Sequence, residues 1–168
     1  MDFAFSEQQE LLKKEARNFF DAEYPKKLVK ELEESEPGYS PEIWKKMADL
    51  GWLGLIVPED YGGVGGDLLD LAILFEEVGK TACPAPLFST LVFGVLPLLE
   101  SGSENQKKEL LSKVADGDAI LTMAINEPET DYKPEFITTR AVKDGDGFVI
   151  NGTKLFVPYA HVADYILV

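Results

Sequence analysis

Two adjacent glutamates, a single histidine, a single cysteine, a glycine-rich loop and two short motifs near the end are the residues here whose types invite chemistry. Glu76 and Glu77 look like paired carboxylates. Neighbours on a helix point about 100° apart, so the two do not converge on one substrate atom, and solvated or capping roles are expected. His161 alone cannot build a metal site of ordinary ligand count, and no serine or cysteine partners it in a recognisable motif. Cys83, in TACPAP, lacks the helix start or basic neighbour that lowers a thiol pKa, so it packs rather than attacks. GGVGG at 62–66 precedes a helix. Begun at Gly63, however, GxGxxG would need glycine where Leu68 stands, and Asp67 occupies the place of an anion. A structural turn is expected. What remains is Glu127-Pro128 followed by Asn151-Gly152-Thr153-Lys154, and neither names a reaction by itself.

The elements that position these motifs divide the chain in two. Ser6-Glu7-Gln8-Gln9 is a capping box opening a helix, with Leu12, Ala16, Phe19 and Phe20 at helical spacing. Pro25 breaks or kinks it, and Leu28, Val29 and Leu32 continue an apolar face. Ser40-Pro41 opens a second helix with proline at its first position. After a loop punctuated by Pro58 and glycines, a third helix is expected over 68–78, closed by Gly79. A fourth, mostly apolar, spans 86–100, and Ser103-Glu104-Asn105-Gln106 caps a fifth that closes at Gly117. Short links between about five helices predict a bundle, with Phe19, Phe20, Trp44, Leu74 and Phe75 as core.

From Asp118 the period changes. Residues 120–126, 136–142, 148–150, 154–157 and 163–168 read as strands. Asp144-Gly145-Asp146-Gly147 supplies one turn, and Asn151-Gly152 supplies a hairpin joining 148–150 to 154–157. The fold class expected is therefore α+β: an all-α bundle over 1–118, then an antiparallel β-barrel segment over 119–168. The last strand stops with unpaired backbone, which predicts a truncation or a missing half.

Composition narrows the function. The 168 residues carry a formal charge of −14, a surface that repels phosphate backbones and anionic membranes. The apolar stretch 84–99 is shorter than the roughly 20 residues of a membrane helix and is broken by Pro86 and Pro97. One cysteine excludes an internal disulfide, and MDFAFSEQQ lacks a signal peptide's basic start. A cytoplasmic location is expected, with no nucleic-acid partner and no membrane insertion.

Helices followed by a β segment carrying Glu-Pro, Asp-Gly-aromatic, Asn-Gly-x-Lys and Ala-Asp, in that order, resemble the acyl-CoA dehydrogenase family of flavoproteins. GWLGLIVPEDYGGVGG is similar to the family's Gly-x-Pro-x-x-Tyr-Gly-Gly loop, and LFEEVGK to the helix after it. The matches extend over the entire chain. The resemblance implies helices, a central β barrel and a C-terminal four-helix bundle, of which this chain supplies the first and much of the second. It implies FAD as cofactor and α,β-dehydrogenation of an acyl-CoA thioester. A glutamate takes the α proton, and the β hydride goes to the flavin. In most members that base lies in the C-terminal bundle, so no catalytic residue is assigned in this chain.

Flavin contacts carry over to Met123, Ile125 and Asn126, where asparagine replaces threonine yet keeps a donor and an acceptor. Thr130 replaces a loop serine, and Phe156 takes a position against the isoalloxazine. Pro158 stands where the family has a threonine or serine, so that hydrogen bond is lost. Residues 88–98 become walls of the acyl pocket. Partners implied are the acyl-CoA, an electron-transferring flavoprotein as acceptor, and further subunits in a homo- or hetero-oligomer. Two other functions share these motifs: a related flavin-dependent oxidase, and a non-catalytic partner subunit of a hetero-oligomeric dehydrogenase.

Overall fold

A computed structural model describes residues 4–129 and 133–168. Six α-helices come first: α1 (Glu7–Glu23), α2 (Lys26–Glu33), α3 (Pro41–Asp49), α4 (Leu68–Thr81), α5 (Leu96–Ser101) and α6 (Glu104–Ala115). The strands β1 (Leu121–Met123), β2 (Arg140–Asp144), β3 (Gly147–Asn151) and β4 (Tyr165–Leu167) follow. No helix among the described residues is long and apolar enough to cross a membrane.

Local chemistry sets most helix starts. Ser6 with Gln9 and Ser103 with Gln106 form the expected capping boxes, and Ser40 accepts from the Ile43 amide with Pro41 at the first turn. Each cap satisfies amide donors that the helix cannot use itself. Asp67 caps α4 in the same way, accepting from Leu69 N and Asp70 N at 2.7 and 3.0 Å. The glycine-rich loop before it folds back on residues 54–57 through Val64 N to Gly54 O, Gly65 N to Val57 O and Gly66 N to Leu55 O. The expected structural turn is what forms.

Two helix expectations need correction. Gly79 does not close α4, which runs to Thr81 and ends on Ala82 with φ +51°. The fourth helix is not uniformly α: Ser89–Val95 is π-helical and leads into α5. Pro97 has no amide to offer the Phe93 carbonyl, and just upstream the ladder runs in the wider i to i+5 register, with Leu96 N donating to Leu91 O. This π segment packs on β1. Gly94 makes that approach possible, since a Cβ there would lie 2.4 Å from Leu121 Cβ.

The core combines aromatic and aliphatic side chains. Phe20 stacks on Trp52 with ring centres 5.5 Å apart, while Leu53, Leu74, Leu91, Val95, Leu111 and Leu121 are closed to solvent. Phe20, Trp44 and Leu74 are core as expected, whereas Phe19 and Phe75 are half-buried against it. Glu77 departs from its expected solvated role. It is 1% exposed and clamps α4 to α1 through two 3.1 Å bonds from Arg17, with Lys80 at 2.9 Å. The two guanidinium bonds form the bidentate geometry that arginine favours.

The β region packs against the helices through β1 but is not a closed antiparallel barrel. Among the described residues it forms two two-stranded sheets: β1–β4, which is parallel, and β2–β3, which is antiparallel. The reason is connectivity. β1 and β4 run side by side in one direction, and the intervening chain makes its own hairpin. That hairpin turns at Gly145-Asp146, with Asp144 opposite Gly147. Gly145 has φ +59°, the first central position of a type II′ turn.

Asn151-Gly152 makes no hairpin. A type I′ turn needs positive φ at both residues, and neither has it. Gly152 instead gives closeness, for a Cβ there would overlap Thr139 Oγ1. Residues 154–157 are accordingly not a strand, and 136–142 begins with a 3-10 turn, Pro134–Phe136, before β2.

Candidate functional site

The two sequence motifs that named no reaction meet each other. Glu127, 6% exposed, forms an ion pair with Lys154 at 2.9 Å. It also accepts from Thr138 N at 2.8 Å, Thr138 Oγ1 at 2.6 Å and Thr139 N at 3.0 Å. The Thr138 bonds first, then Thr139 and the Lys154 ammonium, hold its carboxyl well below the usual carboxylate range. Burial pulls the other way and loses. A carboxylate so heavily bonded is held charged and has little basicity to lend to catalysis. Its work is to clasp the chain after β1 to the start of β2 and to the Lys154 segment.

That clasp lays residues 154–158 beside 122–127. Leu155 N donates to Asn126 O at 2.8 Å, Lys154 Nζ to Ile125 O at 3.3 Å, and Thr122 Oγ1 to Pro158 O at 2.8 Å. The order of these contacts is antiparallel, so Phe156 comes abreast of Ile125. Both side chains face outward, Phe156 at 82% and Ile125 at 44% exposure. Asn126 is half-buried, and among the described residues its carboxamide makes no hydrogen bond. The result is an open apolar ledge with one uncommitted amide on it.

A cleft of about 880 Å³ adjoins this region, within the usual size of small-molecule sites. Leu98, Leu110, Met123, Ile125, Ile150 and Tyr165 form much of its wall, with Lys154 at its edge. Of the six residues expected to touch a flavin, Met123 and Ile125 line this cleft, while Asn126, Phe156 and Pro158 do not. Asn126 and Phe156 belong to the ledge, and Pro158 is exposed with its carbonyl engaged by Thr122. Thr130 lies outside the described residues. Sequence reasoning missed Thr122, Thr138 and Thr139 as site-building groups. Their β-branched types were read as strand material, and only their partners reveal the second use.

Burial pushes the Cys83 thiol up to about 12, which leaves little thiolate for nucleophilic work. His161 sits in a loop with Nε2 3.3 Å from Pro37 O. No cluster of metal-ligating side chains occurs among the described residues.

Comparison with known proteins bears on the whole chain. The family described as "Acyl-CoA dehydrogenase, N-terminal domain" matches residues 6–118. The chain belongs to the acyl-CoA dehydrogenase family. The long-chain specific mitochondrial acyl-CoA dehydrogenase of Sus scrofa is 32% identical over 98% of this chain and 38% of its own length. The CarC subunit of the caffeyl-CoA reductase–Etf complex of Acetobacterium woodii is 34% identical over 95% of this chain and 42% of its own. Among solved structures, the Tcur3481-Tcur3483 steroid ACAD G363A variant is 35% identical. It covers 95% of this chain and 44% of that one, with a TM-score of 0.86. The dehydrogenase family resemblance thus extends past the matched helices into the β region. This chain spans about two fifths of the length of these acyl-CoA dehydrogenase relatives.

Proposed function

We propose that this chain supplies the N-terminal helical domain (1–118) and part of the central β domain (119–168) of an FAD-dependent acyl-CoA dehydrogenase. The observation that carries this reading is the Glu127–Lys154 clasp, which brings the two flavin-associated motifs side by side and leaves Ile125 and Phe156 outward. The residues present fit such a cofactor. Phe156 and Ile125 offer flat apolar surface, Met123 continues it into the cleft, and Asn126 holds a free donor and acceptor at the ledge. FAD, when bound, supplies the acceptor for a substrate hydride. The chain's own residues bind and orient. Glu127 is excluded as the proton-abstracting base by its bonds to Thr138, Thr139 and Lys154. No residue of this chain is proposed as that base. An acyl-CoA is the proposed substrate and an electron-transferring flavoprotein the proposed acceptor, in line with the Etf-associated relative.

A second reading, a non-catalytic subunit of a hetero-oligomeric dehydrogenase, is favoured by Pro158, which offers no hydrogen to a cofactor. Similarity to a two-component assembly supports it as well. Purifying the intact protein and recording its visible spectrum separates the two. A yellow protein bleached by an acyl-CoA without oxygen supports the dehydrogenase. A folded, colourless protein rejects it in favour of the subunit.

A further inference from the structure

Thr122 carries a role that no sequence motif assigns. It sits in the middle of β1, where alternation turns its side chain to the opposite face from Leu121 and Met123. The residue is wholly buried, and its hydroxyl donates to the Pro158 carbonyl at 2.8 Å. Pro158 has no amide, so this carbonyl is its one main-chain polar group. Upstream, Leu155 N reaches Asn126 O; downstream, Asp164 N reaches Ile120 O. Between those two ties, the Thr122–Pro158 bond is the one described hydrogen bond joining the segment to β1.

What lies on either side of Pro158 makes the bond consequential. Phe156 has φ +54° and Tyr159 φ +53°, two of three non-glycine residues with positive φ among the described residues. For an aromatic residue that conformation is an outlier that persists only where its surroundings hold it, and such strain clusters at ligand sites. The Phe156 ring is too exposed to be held by packing. Its direction is set by its backbone, and that backbone is pinned two residues on, at Pro158.

We propose that Thr122 is a positioning residue for the flavin: by holding the Pro158 carbonyl it maintains the left-handed backbone at Phe156 and Tyr159, and so fixes the plane the Phe156 ring offers to the isoalloxazine. This rests on the flavin reading above.

The test uses the intact protein. Thr122→Val keeps the shape and removes the donor, Thr122→Ser keeps the donor, and Ile43→Val removes a buried methylene remote from the site. Dissociation constants for FAD are measured by flavin fluorescence quenching, with visible circular dichroism of the bound flavin and thermal melts alongside. Thr122→Val is expected to weaken FAD about tenfold and to change the flavin dichroic band. Thr122→Ser stays within about twofold of wild type, and Ile43→Val lowers the melting temperature while leaving FAD affinity and the band unmoved. If the valine variant does not fold, Thr122→Ala carries the same expectation. A folded donor-less variant that binds FAD with wild-type affinity and spectrum overturns this role alone. So does an Ile43→Val variant that reproduces the defect. Wild-type protein that takes up no FAD overturns both the role and the flavin reading beneath it.

Discussion

Replacing Gly94 by alanine tests how the helical part holds β1. The added carbon would lie 2.4 Å from Leu121 Cβ, with Leu121 Cδ2 at 3.2 Å and Cγ at 3.4 Å. Carbon atoms in contact sit roughly 3.5–4.0 Å apart, so the π segment and β1 must separate by about 1 Å. Both clashing carbons are fixed to the main chain, and no rotamer change relieves them. Overpacking of this kind costs about 1–3 kcal/mol. Alanine recovers roughly 0.5–1 kcal/mol through its better helix preference, leaving a net loss of about 1 kcal/mol at the middle of both ranges. For a chain this long, each kcal/mol moves the melting temperature by about 2–4 °C, so Gly94→Ala should melt about 2–4 °C lower. Gly79→Ala is the matched control. It is also helical but has nothing within 4 Å of the new carbon, so it should gain about 0.4–1 kcal/mol and melt higher. Thermal denaturation followed by circular dichroism reads both. If Gly94→Ala melts at or above wild type, Gly94 is not the close approach that docks β1, and the account of how the strand is placed is wrong.

Stability should also depend on acid through Glu127. Its folded pKa is depressed, so its contribution is fully present above the unfolded value of about 4.3 and is lost as pH falls through the folded value. Urea titrations from pH 7 to pH 3 should show a plateau and then a decline below about pH 4.3. That decline should be shallower in Glu127→Gln; equal slopes would mean the clasp does not carry it. Glu76 and Glu77, also depressed, supply the decline that remains in the variant. The Cys83 thiol, raised to about 12 by burial, should react with Ellman's reagent at pH 8 far more slowly in the native protein than in guanidinium. Comparable rates would show that the thiol is not shielded.

Most of the helical architecture was legible in the sequence, because a helix start is a local event. Ser6, Ser40 and Ser103 each bond an amide three residues on, and the pattern is visible within four letters. The apolar spacing of Phe20, Trp44 and Leu74 likewise announced the core. The turn at Asp144-Gly145-Asp146-Gly147 was readable for the same reason, since glycine at the first central position suits a hairpin of this kind.

Where two local signals competed, the sequence alone chose wrongly or not at all. Asn151-Gly152 has the letters of a hairpin, but Gly152 is used for contact with Thr139 and Lys154 is drawn to Glu127. Gly79 has the letter of a helix end, yet with open space around it α4 continues to Thr81.

Four things were decided by tertiary structure: the parallel pairing of β1 with β4, the clasp on Glu127, the burial of Glu77 between α1 and α4, and the bond from Thr122 to Pro158. Each joins residues far apart along the chain, from 11 positions for Thr138 with Glu127 to 60 for Arg17 with Glu77. Capping and periodicity act within a turn or two and leave a trace in neighbouring letters. A hydrogen bond or ion pair across such separations depends on where packing brings two surfaces, and a threonine's type is the same whether its hydroxyl serves its own turn or a strand elsewhere. That is why the family and its helices could be read from the letters, while the residues that build the ledge became visible only once the chain was folded.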